Sequence, residues 1–161
     1  MIPMDDMKSR QVWSRVMNTP CPAVDGTQKK DAALTARQVL ELAQEEWADA
    51  AVYGSLARCA PQCAREALRQ MARDEACHAR RLAALYFLLS GEKACPEPGK
   101  PVCTACFNET LRQRYGEELR GQKRYQELAP QAGAQRCLFE QLACDEGRHA
   151  QTICCILQHT L

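Results

Sequence analysis

The chain has 161 residues, 46% of them hydrophobic and 25% charged, enough for one domain with a real core and too few for two comfortable ones. Its 21 Lys and Arg against 20 Asp and Glu leave a net charge of +1, without the strong imbalance that nucleic acid or an anionic membrane surface favours in a partner. No stretch approaches the ~18 apolar residues of a membrane span, and Asp5 and Asp6 stand where a signal peptide would carry its basic start, so a cytoplasmic chain with no membrane or nucleic-acid partner is expected.

Residues 1–33 read as an irregular arm with turn signals at Pro3, Pro20, Pro22 and Asp25-Gly26, packed on the domain or on a neighbouring subunit. Residues 34–161 then carry four long helical patterns, about 34–60, 62–90, 106–129 and 132–160, and predict an all-α four-helix bundle. Alternating steps of three and four give each helix one inward seam. In the first helix the seam is Val39, Leu42, Glu46, Asp49, Tyr53 and Leu56; in the second it is Ala64, Leu68, Met71, Glu75, His78, Leu82, Leu85 and Leu89. The third has Phe107, Leu111, Arg114, Glu118, Gly121, Tyr125 and Leu128, and the fourth Phe139, Leu142, Glu146, His149, Ile153 and Ile156.

Pro61 and Pro130 tighten the connections within each pair of helices, so each pair reads as an antiparallel hairpin. The longer link from Gly91 to about Ala105 holds Pro96, Pro98 and Pro101. About 14 extended residues reach at most ~50 Å and a helix of about 28 residues is ~42 Å long, which permits either a crossover along the bundle or simple up-and-down connectivity.

Carboxylates and imidazoles interrupt every apolar seam near its middle, although Glu is almost never buried unless paired or bound to metal. The two halves also repeat. Glu46, six residues, Tyr53 is echoed by Glu118, six residues, Tyr125, and Asp74-Glu75-Ala76-Cys77-His78 by Asp145-Glu146-Gly147-Arg148-His149. Glu and His three apart share a helix face, so each Glu-x-x-His offers an oxygen and an imidazole to one ion. Four Glu and two His allow two carboxylates to bridge two ions while each ion keeps one terminal Glu and one His, a donor mixture suited to iron or manganese. The candidate ligands, which would also carry the chemistry, are Glu46, Glu75, His78, Glu118, Glu146 and His149. Glu45 and Glu117 are neighbours that could compete for the terminal places.

These motifs resemble the ferritin-like superfamily, and within it the rubrerythrin and bacterioferritin families, over roughly residues 34–160. The resemblance implies that Glu46 and Glu118 are terminal ligands, Glu75 and Glu146 bridging ones, and His78 and His149 the imidazoles. It further implies that Asp74 orients His149, that Asp145 orients His78, and that Tyr53 and Tyr125 hydrogen-bond near the ions. On that likeness the expected activity is a di-iron or di-manganese oxidoreductase acting on hydrogen peroxide or oxygen in oxidative-stress protection, in a homodimer; the alternatives are a ferroxidase or iron-storage protein and a metal-tied structural bundle.

The chain departs from those families in places. It has one CxxC, Cys103 to Cys106, rather than the two pairs of a rubredoxin domain, so a reductive cycle needs an external electron donor. Ala76 stands where bacterioferritin has its haem-binding Met, so no haem is expected, and Arg120 and Gly121 occupy the stretch where rubrerythrins add a further Glu. Of the 11 cysteines, Cys77, Cys144, Cys154 and Cys155 are expected as small core fillers, and Cys95, Cys103 and Cys106 as free thiols, an adventitious disulfide, or a zinc or redox site with a fourth ligand such as Cys21. Arg65, Arg69, Arg73, Arg80 and Arg81 read as a solvated helix face.

Overall fold

The computed structural model describes residues 34–95 and 106–160, all within the unit Asp31–Leu161. The expectations for the arm, Cys21, Cys103 and the prolines of the linker fall outside the described residues. The architecture is all-α: α1 (Ala36–Cys59), α2 (Gln62–Ser90), α3 (Phe107–Leu128) and α4 (Arg136–Thr160) form a four-helix bundle. None of the described helices is long and apolar enough to cross a membrane.

Local chemistry sets the helix ends. Thr35 opens α1 with a capping box, its hydroxyl accepting from the Gln38 amide while Gln38 accepts from the Thr35 amide at 2.9 Å, so two amides with no partner inside the helix are satisfied. Pro61 precedes α2 and permits only a short turn. Gly91 closes α2 in the left-handed region at φ 74°, donating its N–H to the Phe87 carbonyl at 2.8 Å, a conformation that costs glycine nothing. The fourth helix starts later than its sequence pattern suggests. Two 3₁₀ turns, Ala129–Gln131 and Gly133–Gln135, come first, because Pro130 and the positive φ of Gly133 at 53° tighten the chain after α3.

Side-chain pairs fix the helix directions. Glu46 and Tyr53 on α1 meet Tyr125 and Glu118 on α3 in reversed order, so these helices are antiparallel. His78 and Asp74 on α2 meet Asp145 and His149 on α4, again reversed. With α1 and α2 antiparallel across the Pro61 turn, α2 and α3 run parallel. Leu89 accordingly shares one end of the bundle with Leu34 and Gln131, while Phe107 shares the other with Cys59 and Thr160.

Most of the expected seam is buried, with Asp49, Phe107, Arg114, Gly121 and Leu128 only partly so, and two apolar clusters flank the polar layer. One gathers Val39, Leu42, Leu82, Leu85, Tyr125, Phe139 and Leu142; the other Tyr53, Leu56, Leu68, Met71, Leu111 and Ile153. The seam departs from expectation at Leu89 in the last turn of α2, which is 48% exposed beside Phe87 and Leu88. Cys77, Cys144, Cys154 and Cys155 are free and exposed rather than core fillers. Each lies next to an inward residue instead of three or four away, which turns it toward the outer face. On the arginine face of α2, Arg69 and Arg73 pair with Glu66.

Candidate metal centre

All six candidate ligands lie in the polar layer, none more than 5% exposed. Their ligand atoms converge in two groups, Glu46, Glu75, His78, Glu146 and Glu75, Glu118, Glu146, His149, each with its atoms within 4.8 Å of one another. Glu75 and Glu146 belong to both groups, while Glu46 with His78 and Glu118 with His149 belong to one each. The competing residues point outward: Glu117 pairs with Arg120 and Glu45 with Arg124 at the surface.

Contacts between and within the hairpins hold the candidate ligands in place. Tyr53 on α1 donates its hydroxyl to Glu118 on α3, and Tyr125 on α3 donates to Glu46 on α1. His78 Nε2 lies 3.1 Å from Asp145 and His149 Nε2 lies 3.5 Å from Asp74, leaving both Nδ1 atoms toward the carboxylates. His78 Nδ1 is 3.2 Å from Glu46 and 3.0 Å from Glu75, and His149 Nδ1 is 2.9 Å from Glu75 and 3.4 Å from Glu118. The ring centroids are 5.8 Å apart.

A glycine shapes the position of one shared carboxylate. A Cβ at Gly121 would stand 2.6 Å from Glu146 Oε2, so only glycine leaves that oxygen its place against α3.

Four carboxylates in an apolar surround are costly while they are all ionised. Burial pushes Glu75 up to about 7 against the pull of both histidines, and burial with the neighbouring carboxylates pushes Glu146 up to about 9. Burial alone would also raise Glu46, but hydrogen bonds from His78, Glu75 and Tyr125 and the charge of His78 outweigh it and hold Glu46 below its ordinary value. The histidines move the other way. Burial disfavours their charge, yet Glu146, Glu46 and Glu75 hold His78 far above the usual imidazole range, and Glu118 and Glu75 hold His149 up at about 10. Protons thus stand in this cage where cations could.

The donor set fits a metal by a separate test. Glu75 Oε1, Glu118 Oε2, Glu146 Oε1 and His149 Nδ1 are buried without a hydrogen bond of good geometry, and face only one another and His78 Nδ1 across ion-pair distances of 2.9 to 3.4 Å. Buried polar atoms rarely go without a partner, and these four belong to the residues of one ligand group. The Glu and His clusters could therefore hold metal ions.

Sequence reasoning placed Arg114 and Asp49 on the seams but gave them no role. Arg114 is 13% exposed and its Nη2 lies 2.7 Å from Asp49 Oδ2. Burial raises Asp49 to about 6 despite that arginine. The signal was present as two opposite charges, each interrupting an apolar seam.

Comparison with known protein families, with curated proteins and with solved structures finds no match to this chain.

Proposed function

We propose that the chain is a ferritin-like di-metal carboxylate protein, similar to rubrerythrin and bacterioferritin, that works as an oxidoreductase on hydrogen peroxide or oxygen. The observation that carries this reading is the pair of buried ligand groups sharing Glu75 and Glu146, a donor set of four carboxylates and two imidazoles that suits iron or manganese and neutralises two divalent ions. The parallel course of α2 and α3 supports the ferritin-like connectivity with its long crossover.

A bound iron pair would supply two one-electron redox centres next to each other. The protein's part is to hold and orient. Glu46 and Glu118 would serve as terminal ligands, Glu75 and Glu146 as shared ones, and His78 and His149 as the nitrogen donors through Nδ1. Asp145 and Asp74 fix the two rings by accepting from Nε2, as outer partners of metal-bound histidines do. Tyr53 and Tyr125, whose hydroxyls burial and the neighbouring carboxylates keep protonated, orient Glu118 and Glu46. The apolar clusters on either side keep water from the layer, which strengthens each of these interactions.

If the cycle is reductive, its electrons come from an external donor, rubredoxin-like or a flavoprotein reductase. Iron-loaded, anaerobically reduced protein mixed with limiting hydrogen peroxide should consume about one peroxide per pair of irons, faster than free ferrous ion and faster than Glu46→Ala. Continued consumption should need an added reductant and carrier. Consumption no faster than with free iron would leave a structural bundle, and iron uptake well beyond two per chain would mark a storage protein.

A further inference from the structure

The internal repeat carries α1 onto α3 at a constant step, so that 46 maps to 118 and 53 to 125, and both the ligand and its tyrosine are kept. The same step carries Leu42 onto Arg114 and Asp49 onto Gly121. The two halves therefore differ at the seam positions that flank the terminal ligand.

Leu42 is buried in the apolar cluster that contains Tyr125. At the matching place on the other side stands a guanidinium. Arg114 Nη2 lies 3.6 Å from Glu118 Oε1, its Nε donates to the Tyr53 hydroxyl at 3.4 Å, and its guanidinium carbon sits 5.2 Å from the Tyr53 ring centroid. Arginine remains charged in proteins. Glu46 and Glu118 each face a histidine at similar distance, His78 at 3.2 Å and His149 at 3.4 Å, and only Glu118 has an arginine as well.

We infer that Arg114 is a resident cation that competes with a metal ion for Glu118, so that the two ion positions differ in affinity and the Glu46–His78 position fills first. The inference rests on the di-metal reading above. The fixed positive charge repels a divalent ion held by Glu118, and in this buried layer water and salt screen it little. The tyrosine contacts are matched, Tyr53 on Glu118 Oε1 and Tyr125 on Glu46 Oε1, so the arginine 3.6 Å from Glu118 Oε1 is what distinguishes the two carboxylates. Asp49 offsets the charge only in part, because its side chain is 29% exposed and shares its field with water.

Titration of the full-length, metal-free chain with cobalt(II), followed by calorimetry and visible absorption, should show two binding steps separated by about tenfold or more. His149→Ala should keep the tight step and lose the weak one, and His78→Ala should do the reverse. Arg114→Leu, which copies the residue of the other half, should bring the two steps together by tightening the weaker. Arg114→Gln and the double variant Arg114→Leu/Asp49→Ala should do the same, which separates the charge effect from packing and from an unpaired Asp49. Two equal steps in the wild type would overturn the inference while leaving the di-metal reading intact. So would survival of the weak step in His149→Ala, or an unchanged separation in folded Arg114 variants. Failure to bind cobalt at all would remove both.

Discussion

Glu75 and Glu146 each reach both ligand groups, and this sharing gives single residues an effect on the whole centre. Glu75→Ala or Glu146→Ala should lose both ions, while metal analysis of the wild type returns about two per chain; full metal content in both variants would refute the shared role. Gly121 makes a subtler case. Glycine to alanine inside a helix ordinarily stabilises by ~0.5–1 kcal/mol, but here the new methyl would displace Glu146 Oε2. Gly121→Ala should leave the metal-free protein as stable as before or slightly more so, and weaken metal binding by about tenfold or more, measured by competition with a chromophoric chelator. At this scale the sequence was most legible where a residue broke a pattern twice. Each ligand, each partner aspartate and each tyrosine occurs in both halves at matched spacing, so periodicity and repetition identified the same positions. Arg114 and Asp49 occur once each, and only their 2.7 Å contact distinguishes a partly buried ion pair from two misplaced surface charges.

The helices themselves were readable from their seams because burial follows a period close to that of the backbone. Their existence and order came directly from that pattern. Their ends and directions did not, since those depend on chemistry that periodicity does not contain. The start of α4 is delayed by the turns around Pro130 and Gly133, and the parallel course of α2 and α3 emerges only from which side chains meet across the bundle. The outward cysteines teach the same lesson, for a small apolar residue next to a seam position is easily assigned to the core. The cap of α1 offers a test at this scale. Thr35→Ala removes the side-chain half of the capping box and should cost ~1 kcal/mol in urea unfolding, with metal content unchanged, because Glu46 lies about three turns further along. A loss of metal in that variant would mean that the cap helps to set the register of the site.

For the whole molecule, protonation and folding are linked. Glu75 is held at about 7 and Glu146 at about 9 against an ordinary 4.5, and His149 at about 10 against 6.5. The folded metal-free protein therefore binds protons that the unfolded chain releases, so the stability these groups provide is complete below their unfolded values and is lost as the pH rises through the folded ones. Glu46 acts in the opposite sense, but only below its ordinary 4.5. Metal-free protein should be more stable at pH 5.5 than at pH 8.5, by at least ~1 kcal/mol in urea titrations, and added metal should stabilise it more at the higher pH. A metal-free protein that gains stability over that range would contradict the cage described here. The contacts that hold the site also cross between hairpins: Tyr53 to Glu118, Tyr125 to Glu46, His78 to Asp145 and His149 to Asp74. Each hairpin is thus in part the template for the other's candidate ligands. Produced as separate fragments, 34–95 and 106–161, the hairpins should each bind cobalt no better than an unstructured peptide and recover the two-ion spectrum only when mixed, so that metal becomes the signal of their complementation.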